Sequence, residues 1–270
     1  KGIVFFEQAI KADPKYALAY AGLADSYLVA NFNLLPPDQV FPKAKQAAIK
    51  AVEIDGSLAE PRAALAFTTM VYDRDWPAAE REFRRALDLK PSYTIGRGLY
   101  ATLCLCPVRR YADAIDVLQE CLSVDPLSVL MRVMLGQALI VAADFDAAIR
   151  EVRHALALDP DSTVGYVTLG LAQLGAGSYR EARETLLRAE PSARDFPNFW
   201  GHLGFVHAKL GQREEAHQAL RELEERFAPW VPYLHAAAVH NALGDTARAL
   251  DCLDRARRDR SFDSLFIADD

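Results

Sequence analysis

Val129–Asp161 reads VLMRVMLGQALIVAADFDAAIREVRHALALDPD, and its spacing is that of two helices closed by a proline. The first would carry Arg132, Leu135, Gly136 and Leu139 on one side, and the second Ala148, Val152 and Ala155, with Pro160 ending the run. A small–large–small row at i, i+4 and i+7 lies on one helical face. Small side chains let a neighbouring helix come close, and the larger one fills the space between them.

The same row recurs along the chain. The small residue that opens each second helix falls at Gly2, Ala44, Ala79, Ala114, Ala148, Ala182, Ala216 and Ala249, at intervals of 42, 35, 35, 34, 34, 34 and 33 residues. Four residues on stand Phe6, Phe83, Leu118, Val152, Leu186, Leu220 and Leu253, with Ala48 the exception. Seven on stand Ala9, Ala51, Ala86, Cys121, Ala155, Ala189, Leu223 and Ala256. The first helices carry matching pairs, Leu23-Ala24, Leu65-Ala66, Leu135-Gly136, Leu169-Gly170 and Leu203-Gly204, with Tyr100-Ala101 and Ala236-Ala237 as weaker copies. Tyr20, Tyr166, Trp200 and Tyr233 stand just before several of them, and Arg62, Arg97 and Arg132 hold that place elsewhere.

These residues resemble the tetratricopeptide (TPR) signature, W-x2-L-G-x2-Y, then A-x3-F, then P, over essentially Lys1 to Arg258. The resemblance implies an all-α fold, a right-handed TPR superhelix (α-solenoid) of about seven helix-turn-helix repeats after a partial N-terminal helix. The expected organisation is one array over 1–270: a partial repeat 1–14, repeats 16–57, 58–92, 93–127, 128–161, 162–195, 196–229 and 230–258, and a truncated element 259–270. Proline-bearing linkers such as Asp13-Pro14, Lys90-Pro91-Ser92, Asp125-Pro126 and Asp159-Pro160 stop one helix, and Ser or Asp can cap the next. The irregular stretch is Asn31–Asp38, NFNLLPPD, which lengthens its repeat by about eight residues. Its paired prolines cannot continue a helix, so the second helix should resume near Val40. Asp75 is a plausible N-cap before Trp76-Pro77. Apolar Phe262, Leu265, Phe266 and Ile267 would begin a further element covering the end of the stack.

Composition fits an ordinary folded chain: 51% apolar and 25% charged over 270 residues. No apolar run approaches the ~20 residues a membrane helix needs, and KGIVFFEQAI is no signal peptide. With no initiator Met, the expectation is a piece of a longer protein cut within a repeat. Cys104, Cys106, Cys121 and Cys252 read as buried reduced thiols, which favours a cytoplasmic setting. A net charge of −6 argues against direct nucleic-acid binding. The run Arg255, Arg257, Arg258, Arg260 suits a helix C-terminus better than a phosphate grip.

No catalytic arrangement stands out, so no enzyme and no cofactor is expected. Gly175-Ala176-Gly177 lacks the Lys of a phosphate loop, and Asp73/Asp75 and Asp144/Asp146 read as turn and cap carboxylates. His202, His207, His235 and His240 invite a metal hypothesis, but the first two repeat in the last two, and i, i+5 positions lie about 140° apart around a helix. Equivalent histidines on neighbouring helices should be about 8–10 Å apart, and packing is the expectation.

The segment FPKAKQAAIKAVEIDGSLAEPRAALAFTTMVYDRDWPAAEREFRRALDLKPSY, with its long first repeat, an extra residue around Asp75-Trp76 and the arginines after Glu82, resembles repeat arrays of bacterial signalling proteins. In those, the array follows a winged-helix, protein kinase or nucleotide cyclase effector. The resemblance implies a protein or peptide partner, possible docking onto a missing effector domain, and a groove lined by first helices. Its usual groove positions carry over to Asp25, Leu28, Phe67, Met70, Thr102, Leu105, Gln137, Ile140, Leu171, Leu174, Asn198, Phe205, Lys209, Leu234 and Asn241. This strip is largely apolar and lacks the Lys, Asn and Arg set of members that clamp a C-terminal carboxylate. Two further readings remain open: self-association into a homo-oligomer, and sensing of a small apolar ligand in the groove.

Overall fold

The computed structural model describes residues 2–33, 36–228 and 231–258. Leu34 and Leu35 of the insertion, Arg260, and the closing element expected at 259–270 lie outside the described residues. Every regular element among the described residues is helical, and the chain falls into two compact units. The first, Lys1–Cys104, holds α1 (Gly2–Ala12), α2 (Ala17–Asn33), α3 (Pro37–Ile54), α4 (Glu60–Thr68), α5 (Trp76–Leu89) and α6 (Thr94–Leu99). The second, Leu105–Arg258, holds α7 (Tyr111–Val124), α8 (Val129–Val141), α9 (Phe145–Leu158), α10 (Thr163–Gly175), α11 (Tyr179–Ala193), α12 (Pro197–Lys209), α13 (Arg213–Arg226), α14 (Tyr233–Leu243) and α15 (Thr246–Arg258).

The recurring row is the seam of each hairpin. Ala44, Ala79, Ala114, Ala148, Ala182 and Ala216 are wholly buried, as are Phe83, Leu118, Val152 and Leu186 one turn later. Closeness is set by glycines on the first helices: a Cβ on Gly136 would lie 2.3 Å from Val152 Cγ2, and one on Gly170 2.7 Å from Leu186 Cγ. The large residue of the second helix therefore occupies the volume the glycine vacates. In the second unit α8, α10, α12 and α14 each touch the next, forming one layer, and α9, α11 and α13 pack on both flanking members of it.

The inner turns share one device. Ala143 (φ 61°), Gly177 (75°) and Gly211 (76°) are left-handed, which lets the next amide reach back five residues: Asp144 N to Leu139 O, Ser178 N to Gln173 O and Gln212 N to His207 O, each 2.9 Å. Asp144 then caps α9, accepting from Ala147 N at 3.1 Å. An alanine in this conformation is strained by about 1–2 kcal/mol, against about 0.5–1 kcal/mol of extra chain freedom for glycine. Ala143→Gly is therefore expected to raise unfolding stability by about 0.5–1 kcal/mol, read by urea denaturation. A decrease would contradict the turn geometry.

The two 35-residue intervals are explained by the first helices of those repeats. The residue in excess of 34 is absorbed as a wider π turn, Thr69–Asp73 after α4 and Tyr100–Leu105 after α6. In the first of these the closing bond spans six residues, Asp75 N to Thr69 O at 3.2 Å. The extra residue thus lies within the first helix, not in the turn at Asp75-Trp76, where the spacing suggested it. Asp75 is the N-cap of α5 and accepts from Ala78 N at 3.0 Å.

The insertion also differs from expectation. It is mostly helix: α2 runs to Asn33 and α3 starts at Pro37, a proline at N1 where the missing amide is harmless. The added first turn brings Val40 and Phe41, both wholly buried, against the next repeat. Phe41 meets Phe67 edge-on, ring centroids 6.0 Å apart.

The arginines at aromatic positions have a shared role. Arg62 donates to Glu82 Oε2 (3.0 Å) and Gly56 O (3.2 Å), and Arg132 to Glu151 Oε2 and Pro126 O (both 2.9 Å). Trp200 Nε1 donates to Arg194 O at 2.9 Å. Each donor reaches the carbonyl six residues back in the linker, so arginine and tryptophan seal the same seam, the former adding an ion pair across the hairpin.

Candidate functional site: the outward face of the first helices

One row of each first helix faces away from its hairpin, at spacing i, i+7, i+11. In α2 it is Leu18, Asp25 and Val29, all exposed; in α8 Leu130, Gln137 and Val141, all exposed; in α12 the half-buried Asn198 and Phe205, then exposed Lys209. Lys209 Nζ lies 5.4 Å from the Phe205 ring centroid. Asn241 is exposed and Thr102, Ile140, Leu171 and Leu234 are half-buried.

Leu28, Phe67, Met70, Leu105 and Leu174 are buried and belong to the core, which corrects their assignment as groove contacts. Position i+3 is rotated about 300° around the helix, and that turn carries Leu28, Met70, Leu105 and Leu174 from the open face into the seams. Phe67 shares the row of Asp25 and Gln137, but the lengthened α3 covers it through Phe41. Phe67→Glu would therefore test the core and not the groove.

In the first unit α2, α4 and α6 lie side by side, and the middle of α2, the start of α4 and the linker before α6 gather four polar side chains. Lys90 Nζ pairs with Glu60 Oε1 at 2.6 Å and lies 5.4 Å from the Tyr93 ring centroid. This partner holds the Glu60 carboxyl below its ordinary value. Asp25 has no such partner: among the described residues it accepts no hydrogen bond and meets no cation. Its carboxyl is solvent-accessible, yet it is hemmed in by protein atoms, and this desolvation, then the Glu60 charge, pushes its pKa up to about 6. Tyr93 is pushed to about 12 by burial first and by Asp25 and Glu60 second. In this cluster Lys90 is taken by Glu60, and Asp25 is left without a cation.

Of these four, only Asp25 was among the expected contacts. Glu60 occupies the repeat position of Asn198, so carrying that row to every repeat would have found it. Tyr93 and Lys90 are linker residues, invisible to a rule about helix faces.

The Asp25 shift has a stability consequence with a definite sign. Its folded pKa, about 6, lies above the ordinary 3.8, so the folded chain holds the proton more tightly. The associated stabilisation is full below pH 3.8 and is lost as pH rises through about 6. Asp25→Asn is expected to be more stable than wild type at pH 7.5, the difference vanishing by pH 3.8 or below. Paired urea titrations check this; a pH-independent difference would refute it.

The histidines and cysteines are packing residues here. His202 and His235 meet edge-to-face with ring centroids 5.7 Å apart, nearer than helix spacing suggested, because both side chains enter one seam. His207 Nδ1 lies 2.8 Å from Gln212 Oε1, and burial lowers the His240 pKa. All four cysteines are buried, and burial pushes the Cys106 thiol to about 12, leaving it protonated and inert. No described helix is long and apolar enough to cross a membrane.

Residues 109–163 and 142–202 match the family model for the tetratricopeptide repeat. No curated protein matches the chain in sequence. Solved structures share the fold. A human IFIT1 dimer with PPP-AAAA aligns at TM-score 0.69 and 17% identity, over 95% of this chain and 67% of that one. The type IV pilus biogenesis factor PilW aligns at 0.62 and 16%, over 84% and 98%. Pseudomonas aeruginosa pilF aligns at 0.57 and 18%, over 85% and 97%. Residues 109–202 thus carry tetratricopeptide repeats, and the fold is an all-α solenoid.

Proposed function

We propose that this chain is a partner-docking module that takes an extended or helical segment of another protein, or of another domain of its own protein, along the outward row of first helices within a unit. In the first unit that segment presents a lysine or arginine to Asp25. The carrying observation is the place of the Asp25 carboxyl beside Glu60 and Tyr93, where among the described residues it has no hydrogen bond and no cation. An approaching ammonium or guanidinium offsets the desolvation of that carboxyl and restores the charged form. Exposed Leu18 and Val29 flank it on the same row and supply apolar contact on either side. A regulatory role in a bacterial, cytoplasmic signalling protein, with the segment drawn from its own effector domain, is supported by the resemblance of 41–93 to arrays that follow such effectors.

Fluorescence anisotropy with a labelled peptide of alternating leucine and lysine, and a leucine–glutamate control, tests this. The basic peptide should bind, more tightly at pH 7.5 than at pH 5 as Asp25 ionises through about 6. Asp25→Asn should weaken it roughly tenfold, about 1.4 kcal/mol. Equal affinity for the acidic peptide, or no effect of Asp25→Asn in a folded variant, would defeat the proposal.

A further inference from the structure

The outward row of the first helices differs in charge between the two units. In the first unit it carries Asp25 on α2 and Glu60 on α4. In the second, none of α8, α10, α12 and α14 contains an aspartate or glutamate, although the chain has 37 acidic residues. The helical acids of that unit stand on the other layer, two or more on each of α7, α9, α11, α13 and α15. Burial does not explain the difference, because the row is open: Leu130, Val141 and Val164 are 46%, 36% and 49% exposed, and Gln137 is exposed as well.

On α12 this row ends at Lys209, exposed, with Nζ 5.4 Å from the Phe205 ring centroid. Among the described residues Lys209 makes no ion pair or hydrogen bond. The carbonyl end of α12 favours a cation there, which accounts for the lysine and not for the missing acids around it. The face is therefore apolar, with one cation that no acid of its own layer neutralises.

That charge pattern selects among occupants. A second copy docked face to face would present the same acid-free layer, leaving Lys209 of both copies without a carboxylate. Nucleic acid calls for several cations along its backbone, and the row has one. A segment rich in carboxylates would set most of them against Val141, Leu171 and Phe205, where they lose water and gain no cation. One carboxylate among apolar side chains matches the surface, and the Gln137 and Asn198 amides each offer a donor and an acceptor to a peptide backbone.

We infer that the outward row of the second unit takes an apolar partner segment bearing a single side-chain carboxylate, which pairs with Lys209 while aliphatic side chains lie on Leu171 and Phe205. The inference rests on the outward row being a docking face, and gives its second-unit half the opposite charge preference to the Asp25 half.

Fluorescence anisotropy of the whole chain tests it. The probe is a labelled, N-acetylated and C-amidated peptide of alternating leucine and serine with one central glutamate; its partners carry glutamine or lysine at that place. The glutamate peptide should bind about threefold tighter than the glutamine peptide and roughly tenfold tighter than the lysine peptide. Lys209→Glu, at an exposed position, should melt as wild type and reverse the order, so that the lysine peptide binds best. Asp25→Asn should leave the glutamate peptide unaffected. No binding of the glutamate peptide at millimolar concentration would overturn the inference, as would equal binding of the three peptides or an order unchanged in Lys209→Glu. A dimer in light scattering that dissociates in Lys209→Glu would mean that a second copy takes the face, and would overturn it too. If the basic leucine–lysine peptide still depends on Asp25 while the glutamate peptide fails, only this inference falls; if neither peptide depends on its residue, the docking face itself is lost.

Discussion

Phe83→Ala should destabilise the first unit by about 3–5 kcal/mol, the range for removing a buried phenylalanine from a packed interior. Phe83 is wholly buried, one turn beyond the wholly buried Ala79, with its ring centroid 5.8 Å from that of Tyr100. It therefore joins α5 to its own hairpin partner α4 and to the start of the next repeat. Two other copies carry leucine at this place, Leu118 and Leu186, both wholly buried, so Phe83→Leu should lose less than about 1.5 kcal/mol. Stability in a repeat stack is a sum of local and nearest-neighbour terms. The loss should accordingly appear first in α4–α6, as faster amide exchange there, with α10–α15 protected as in wild type. A Phe83→Ala midpoint within error of wild type would mean that this row is not the seam.

Gly136→Ala should destabilise by up to about 2 kcal/mol net, although alanine is the better helix former. Exchanging glycine for alanine inside a helix ordinarily gains about 1 kcal/mol. Here the new Cβ would sit 2.3 Å from Val152 Cγ2, and overpacking a tight interior costs about 1–3 kcal/mol. Val152 is β-branched and strongly held to one χ1 rotamer in a helix, so it cannot swing aside, and steric repulsion wins. Trimming it should restore the propensity gain: in Gly136→Ala with Val152→Ala the added methyl occupies the space the valine leaves. The double-mutant cycle should show a favourable coupling of about 1–3 kcal/mol, and additivity within about 0.5 kcal/mol would rule the contact out.

The sequence alone settled the helical hairpins, their number among the described residues and their seam. That information is local. Helical period, proline stops and the i, i+4, i+7 row are set by residues within one hairpin, and repetition at 34–35 residues multiplies the signal. Even the Arg62–Glu82 and Arg132–Glu151 pairs were legible, since glutamate stands three residues after Ala79 and Ala148 only where arginine replaces the aromatic. Exposure was not legible to the same degree. Phe67 and Gln137 had equal claims to an open face, but whether a first-helix position meets water depends on the neighbouring repeat. One added turn of α3 was enough to place Phe67 inside. The Asp25 recess likewise arises where several elements converge, a property of their separation in space that no single hairpin contains.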